Sequence, residues 1–287
     1  MKKTFLAFIG GSGLYDMPGI TNLREEEICT PFGNPSDKII LGEMNSKPVA
    51  FLPRHGKGHK FLPSEVNNKA NIYALKKIGI THILSISAVG SLQQELAPGS
   101  AVIPSQILDM TNGRKESFFG EGVVGHVSFA DPFCPQLQDV LKKSLEKEKI
   151  LFHDEKTVVT IRGPRFNTRA ESIMYKNLGA DIVGMTAVPE AILAREAEIA
   201  YATLAFVTDY DSWRVEAEPV TVEMVMAVLK NNVETSKKVA LAVHQMLPEE
   251  TNNPIFNAAQ HAIMTNASLI PPETKRNLDL FYGKYWS

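Results

Sequence analysis

The chain has 287 residues, of which 44% are hydrophobic and 22% are charged, and its formal net charge at pH 7 is -2. This composition is typical of a folded globular protein and excludes disorder as the main state of the chain. Because 30 basic residues stand against 32 acidic ones, no overall charge attracts nucleic acid or an anionic membrane. We therefore expect a small-molecule ligand, with any anion bound by a local cluster of side chains.

Cysteine content and hydropathy indicate the cellular compartment. Cys29 and Cys134 are far apart in the sequence, which gives no support for a disulfide framework or a cysteine-rich metal site. The apolar residues 4–9 superficially resemble a signal peptide, but they run into glycines without a cleavage pattern, so we predict a first strand there. No apolar segment approaches the roughly 20 residues that a membrane-spanning helix needs. These features predict a cytoplasmic protein.

Predicted strands alternate with predicted helices along the chain. The strands are predicted at 4–9, 38–42, 48–52, 82–87, 101–104, 157–161, 181–185 and 200–208. The helices are predicted at about 63–78, 168–178, 189–197 and 221–247. This order predicts an α/β fold in one domain, 1–287, with a mixed, mostly parallel central sheet flanked by helices. Residues 249–254 are turn-rich and precede a helical tail, whose aromatic residues must be buried on their own domain or in a subunit contact.

Two carboxylates follow the last predicted strand. The apolar run at 204–207 is typical of a buried strand, and Asp209 and Asp211 come directly after it. If the backbone stays extended, residues two apart point to one side, so both carboxylates would line one pocket. The alternative is a solvated turn after the strand.

Four further stretches at strand ends are rich in glycine and polar residues. The first, at 10–13, offers free N–H groups to an oxyanion but does not continue as a dinucleotide-binding fingerprint. The second, at 53–59, brings two permanent cations and two histidines together, which suits phosphate, although a basic surface turn is the alternative. The others are the hydroxyl-rich 85–92 and the pair 160–166 and 184–186. The chain has no HExxH or GxSxG pattern, so a metal site of that kind and a serine hydrolase have no support. The anion-binding stretches, together with the separate acid pair, predict a pocket for phosphate at one end and a polar heterocycle at the other.

Eight motifs in order give the chain a family resemblance. They read F-I-G-G-S-G-L, T-P-F-G-N-P-S-D, P-R-H-G-K-G-H, P-S-E-V-N-N-K-A-N, S-A-V-G-S-L, G-P-R-F-N-T-R-A-E-S, G-M-T-A-V-P-E and T-D-Y-D-S-W. Over about residues 4–245 they resemble the 5'-methylthioadenosine phosphorylases, within the trimeric purine nucleoside phosphorylase family. The resemblance implies attack of inorganic phosphate on the anomeric carbon of a nucleoside, releasing the base and a ribose 1-phosphate. Phosphate would be a co-substrate, with no cofactor or metal.

The resemblance also implies roles for individual residues. The phosphate site would comprise Ser12, Arg54, His55, Ser87, Thr186 and the backbone N–H of Ala88. The nucleoside site would comprise Phe166, Met185, Val222, Val225 and His126, with His126 reaching the site of a neighbouring subunit in a homotrimer or a dimer of trimers. The catalytic pair would be Asp209 and Asp211.

The resemblance also implies a substrate, and the sequence differs from the family pattern at two positions. Two aspartates favour adenine over a 6-oxopurine, and an apolar 5' pocket suits a thioether, which predicts 5'-methylthioadenosine as substrate. A methylthioinosine or broader purine nucleoside phosphorylase is the alternative, and a non-catalytic nucleoside-binding protein is the alternative from another class. Arg162 stands where the family usually has an acid, and Ser87 replaces the more common threonine.

Overall fold

The structure is a computed structural model that describes residues 2–11, 19–214 and 221–286, except for the side chains at 224–227 and 229–231. Over these ranges the chain forms eleven strands and six α-helices. The strands are β1 Lys2–Lys3, β2 Leu6–Gly10, β3 Ile20–Glu26, β4 Ile39–Met44, β5 Lys47–Pro53, β6 His82–Ser91, β7 Ala101–Met110, β8 Phe152–Ile161, β9 Ile182–Gly184, β10 Ala200–Asp209 and β11 Glu250–Thr251. The helices are α1 Asn68–Lys77, α2 Pro135–Lys147, α3 Arg169–Asn177, α4 Ala187–Glu196, α5 Val222–Met246 and α6 Pro272–Trp286.

Nine of the described strands form one mixed sheet in the order β10-β7-β8-β9-β6-β2-β5-β4-β3. β10 also pairs with β6, so the five strands from β10 to β6 close into a ring from which β2, β5, β4 and β3 extend. Of the pairings described in this sheet, five are parallel and four antiparallel. The predicted single-domain α/β fold with a mixed sheet is confirmed.

Helices cover both faces of the sheet, as the alternation along β2 illustrates. Ala7 and Ile9 belong to a hydrophobic cluster that includes residues of α1, α4 and α6. Leu6 and Phe8 point to the opposite face and pack in a second cluster with residues of α2 and α5. All four side chains are buried, which is why this strand reads as a continuous apolar run.

Three elements differ from the prediction for identifiable reasons. β3 was not predicted because most of its side chains are polar and exposed, as suits the edge of a sheet. α2 was also not predicted, although Leu137, Leu141 and Leu145 give it a buried stripe at helical spacing. α1 begins at Asn68 rather than near residue 63, because the side chain of Asn67 caps it by accepting from the N–H of Ala70.

The C-terminal tail packs on the rest of the chain. β11 pairs with β1, and in α6 the side chains of Phe281 and Tyr282 are buried. The hydroxyl of Tyr282 donates to the carbonyl of Glu196, and that of Tyr285 donates to the Glu198 carboxylate at 2.6 Å. Of the two predicted alternatives for these aromatic residues, the structure shows burial on their own domain. Among the described helices none is both long and apolar enough to cross a lipid bilayer.

Candidate active site

The predicted site residues follow neighbouring parallel strands. β5, β2, β6 and β10 lie side by side and run in the same direction, so their carboxyl ends meet at one edge of the sheet. Arg54 and His55 follow β5, Ser87 and Ala88 lie in the second half of β6, and Asp209 ends β10. Ligands of open α/β sheets bind at such an edge. The strand order therefore brings the predicted phosphate and base residues to one place.

Ser87 and Thr186 meet because of the register between β6 and β9. These two strands are antiparallel, with Gly90 opposite Val183, and continuing the register along the chain brings residue 186 opposite residue 87. The two hydroxyl oxygens lie 3.3 Å apart, and both residues are partly exposed. Two neighbouring hydroxyl groups, each able to donate one hydrogen bond, are suited to an anion's oxygens.

Arg54 is buried and held mainly by Glu190. Its Nε donates to Glu190 Oε2 at 2.8 Å and its Nη2 to Glu190 Oε1 at 3.1 Å, and both side chains are almost fully buried. Nη2 also donates to Ser85 Oγ at 2.7 Å and to the carbonyl of Ile9 at 3.3 Å, while Nη1 donates to the carbonyl of Ile86 at 3.2 Å. A guanidinium has five N–H groups. Within the described residues, these bonds leave one N–H of Nη1 free for a ligand, and Glu190 offsets the charge.

His55 is neutral near pH 7 and presents an acceptor. Burial, followed by the nearby charge of Arg54, lowers the pKa of His55 to about 4. Its Nδ1 lies 2.9 Å from the carbonyl of Phe61, which can only accept, so Nδ1 carries the proton. Nε2 of the neutral ring is then an acceptor, suited to a protonated oxygen of a ligand. The ring also stacks on His59, with the centroids 4.3 Å apart.

A bulge at Thr208 places Asp209. The pairing of β10 with β6 shifts between Val207 and Asp209, so that Asp209 lies opposite Gly90. Gly90 allows this approach, since a Cβ there would lie 3.1 Å from Asp209 Oδ1. Thr208 Oγ1 donates to Asp209 Oδ2 at 2.7 Å. Burial raises the pKa of the Asp209 carboxyl, although the hydrogen bonds from Thr208 and from the N–H of Asp211 lower it. The net shift favours the protonated form.

Asp211 lies beside Asp209 but is held differently. β10 ends at Asp209, and Asp211 has a positive φ of 45°, so the extended backbone on which the same-side argument depended is not present. Instead the N–H of Asp211 donates to Asp209 Oδ1 at 2.8 Å. Asp211 Oδ2 accepts from Asn167 at 3.0 Å and from the hydroxyl of Ser172 at 2.6 Å. Both carboxylates are about 6% exposed, so the solvated-turn alternative is wrong.

The predicted nucleoside-binding residues are more exposed. Phe166 is 38% exposed and Val222 is 61% exposed, and His126 is also exposed, with its backbone N–H bonded to the carbonyl of Ala262. Met185 is partly buried, and its sulfur occupies the space that a Cβ on Gly163 would need. Ser12 and the side chain of Val225 lie outside the described part of the chain, so their roles stay predictions.

Several polar residues that contact the predicted set were not found by sequence reasoning. Glu190 holds Arg54 in place and itself accepts from the hydroxyl of Tyr201, while Asn167 and Ser172 hold Asp211. A usable signal existed for Glu190, which stands in the otherwise apolar run A-V-P-E-A-I-L-A and therefore had to be buried. Asn167 and Ser172 lie in a polar segment without a distinguishing pattern, and Tyr201 lies in the buried strand β10, where an aromatic residue is ordinary.

Two further sequence expectations, the absence of a metal and the unusual Arg162, can be compared with the structure. Within 2–11, 19–214 and 221–286, no three His, Cys, Asp or Glu side chains lie close enough to hold a metal ion. The side chain of Arg162 is exposed, and its carbonyl accepts from Arg114 Nη2 at 3.0 Å. The absence of a cofactor stays a prediction.

Comparison with known proteins identifies the family. The family model described as the phosphorylase superfamily matches residues 6–245. The chain belongs to the phosphorylase superfamily. It is 48% identical to the S-methyl-5'-thioadenosine phosphorylase of Chloroflexus aurantiacus over 288 aligned residues, covering 100% of both chains. The corresponding protein of Geobacter sulfurreducens is 45% identical, with 98% of each chain covered.

Solved structures of this superfamily share the fold closely. A methylthioadenosine phosphorylase from an antarctic soil metagenomic library has a TM-score of 0.93 and 46% identity, covering 98% of this chain and 99% of the other. The methylthioadenosine phosphorylase of Schistosoma mansoni, solved in complex with adenine, has a TM-score of 0.85 and 37% identity, covering 93% and 98%. These comparisons confirm the predicted family resemblance and the predicted class of enzyme, a phosphorylase.

Proposed function

We propose that this phosphorylase cleaves the N-glycosidic bond of 5'-methylthioadenosine with inorganic phosphate. An oxygen of phosphate forms a bond to the anomeric carbon, the bond from that carbon to N9 breaks, and its electron pair leaves with adenine. The products are adenine and 5-methylthioribose 1-phosphate. The observation that carries the proposal is that Ser87, whose hydroxyl is paired with that of Thr186, and the buried Asp209 lie on the adjacent parallel strands β6 and β10. The full-length likeness to proteins of this named activity supports it.

The groups around Ser87 suit a phosphate with one remaining proton. The hydroxyls of Ser87 and Thr186 and one N–H of Arg54 donate, while neutral His55 accepts through Nε2. A phosphate oxygen that keeps its proton satisfies that acceptor, and the other oxygens accept. Fixing the nucleophile in this way removes much of the entropic barrier, and the bound anion stabilises the oxocarbenium-like transition state.

Asp209 is proposed to protonate the leaving base. Burial raises the pKa of its carboxyl, which favours the protonated form that can donate to N7 as adenine accumulates charge. Its other oxygen then accepts from the exocyclic amine of adenine. Asp211 orients Asp209 through its backbone N–H. A methylthioinosine phosphorylase and a broader purine nucleoside phosphorylase are the nearest alternatives, because a few contacts decide the choice.

We further propose a homotrimer, or a dimer of trimers, in which His126 reaches the site of a neighbouring subunit. Supporting this, His126 is exposed and follows Gly125, which forms an antiparallel bridge with Ile263. Beside this bridge Val124 is 52% exposed and Met264 is 72% exposed, which suits burial against another chain. Cytoplasmic location also belongs to the proposal, supported by the two free cysteines.

A panel of four nucleosides tests the substrate. We expect kcat/KM with phosphate to be highest for methylthioadenosine, when compared with methylthioinosine, adenosine and inosine. A rate for methylthioinosine well above that for methylthioadenosine would overturn the proposed base preference. Comparable rates for adenosine and methylthioadenosine would overturn the proposed 5' selectivity. No turnover of any of the four would favour a non-catalytic nucleoside-binding protein.

A further inference from the structure

Arg114 ties together two chain segments that neither the motifs nor the comparisons connect with it. Its Nη1 donates to the carbonyl of Met185 at 2.8 Å and also to the carbonyl of Val188. Its Nη2 donates to the carbonyl of Ile161 at 3.2 Å and to that of Arg162 at 3.0 Å. One guanidinium therefore bridges the end of β8 and residues 185–188, which lead from β9 into the first turn of α4.

Both bridged segments carry predicted site residues. The first continues from β8 through residues 161–166 to Phe166, proposed to pack on the base. The second, residues 185–188, contains Met185 and Thr186, proposed to contact the sugar and phosphate. Since Thr186 stands 3.3 Å from Ser87, a shift of the second segment would separate the paired hydroxyls.

The chemistry of the contact requires arginine rather than charge alone. A planar fork can donate from two nitrogens to two separate segments, whereas a lysine ammonium sits at one point. The bonds described for Arg114 all end on backbone carbonyls. Its Nε is buried and has no hydrogen-bond partner among the described residues, which costs free energy. The bonds to the carbonyls thus fix the orientation of the guanidinium even though that orientation leaves the Nε–H without a partner.

We propose that Arg114 is a positioning residue that sets the spacing between the 161–166 and 185–188 segments, and hence the room for the nucleoside between base and phosphate contacts. This inference rests on the proposed function. Arg114 does not touch the reacting atoms. It acts through the backbone of the residues that do, and a displacement of about 1 Å in such groups costs on the order of 100-fold in rate.

Three variants test the inference by phosphorolysis of methylthioadenosine. In Arg114→Met we expect kcat/KM for the nucleoside to fall by about ten-fold or more. In Arg114→Lys we expect the loss to persist, because the ammonium cannot bridge both segments. The matched control is Lys76→Met. Lys76 is also a partly buried cation that donates to two backbone carbonyls, those of Ala197 and Glu198, but at the amino ends of β6 and β10, away from the site. We expect it to retain wild-type kinetics.

Backbone amide exchange supplies a readout that does not depend on turnover. Exchange in 161–166 and 185–188 should accelerate in Arg114→Met and not in Lys76→Met. The inference is overturned by wild-type kinetics in Arg114→Met, by an equal loss in Lys76→Met, or by full recovery in Arg114→Lys. If wild-type protein does not cleave methylthioadenosine, the proposed function fails, whereas the exchange experiment still tests the bridge.

Discussion

Arg54 and Glu190 form a doubly hydrogen-bonded ion pair that is buried beneath the predicted phosphate site. Tyr201 adds a hydroxyl that donates to Glu190 Oε1 at 2.8 Å. Residues 136 positions apart in the sequence are thus joined, one following β5 and the other in α4. Because Glu190 accepts from two of the five guanidinium N–H groups and other buried acceptors take two more, only one N–H of Arg54 is left for an anion.

Breaking this pair from one side is expected to destabilise the fold. Glu190→Ala leaves the charge of Arg54 buried without its partner, and we expect the free energy of unfolding to fall by about 3–5 kcal/mol. Arg54→Met with Glu190→Met removes both charges and should recover most of that loss. Denaturant unfolding followed by circular dichroism measures both. A double variant less stable than Glu190→Ala would contradict the role assigned to the pair.

The same double variant tests the proposed contact of Arg54 with phosphate without a large loss of stability. Losing the Arg54 N–H should raise KM for phosphate by about ten-fold or more, whereas KM for the nucleoside should change little. Arg54→Ala should show the same selectivity if it folds. Initial rates over a grid of both substrate concentrations give the two constants. Equal increases in both constants would argue against a phosphate contact of Arg54.

Asp209→Asn tests the proposed contact with the base. An amide cannot donate a proton to N7 and can bond a 6-oxo group, so preference should shift from 6-amino to 6-oxo purine nucleosides by about ten-fold or more. The measurement is the ratio of kcat/KM for methylthioadenosine to that for methylthioinosine, in wild type and variant. If the variant turns over methylthioadenosine as wild type does, Asp209 does not read the base.

Glu196 gives a pH prediction away from the site. Burial raises the pKa of its carboxyl to about 7, although the hydroxyl of Ser117 and the N–H of Phe118 donate to it and Lys69 lies near. The folded protein therefore binds this proton more tightly than the unfolded chain does. Protonation of Glu196 makes its full contribution to the free energy of unfolding below the unfolded pKa of 4.5, and this contribution is lost as pH rises through about 7. The loss is about 3 kcal/mol.

Glu196→Gln should remove this pH dependence. The free energy of unfolding of the variant minus that of wild type should then rise between about pH 4.5 and 7. Taking the difference cancels the opposite contribution of His55, whose lowered pKa stabilises the fold as pH rises toward 6.5. A difference that stays constant with pH would show that Glu196 is ionised normally in the fold.

Much of the fold followed from local patterns, whereas contacts across the chain did not. The buried run of β10 and the Thr168 capping box of α3 were visible because hydrophobic period and cap chemistry are local signals. The closing of the sheet through β6 and β10 depends on register between distant strands, which no local pattern encodes.

The site shows the same division. The motifs around Arg54 and Asp209 predicted an anion and a base at strand ends. The bulge at Thr208 and the positive φ of Asp211 could not be predicted, because tertiary contacts with Val89 and Asn167 stabilise them. The partnership of Glu190 with Arg54 needed the folded chain as well, since a buried carboxylate is evident from its apolar surroundings but its partner is not.

The decisive measurement is release of adenine from methylthioadenosine in the presence and absence of inorganic phosphate. We expect adenine, followed by chromatography, to form only with phosphate and in equal amounts with 5-methylthioribose 1-phosphate, detected by phosphorus NMR. In ¹⁸O-labelled water the sugar product should carry no label, because the new bond to the anomeric carbon comes from phosphate. Adenine released without phosphate, together with free 5-methylthioribose, would contradict phosphorolysis and show hydrolysis instead.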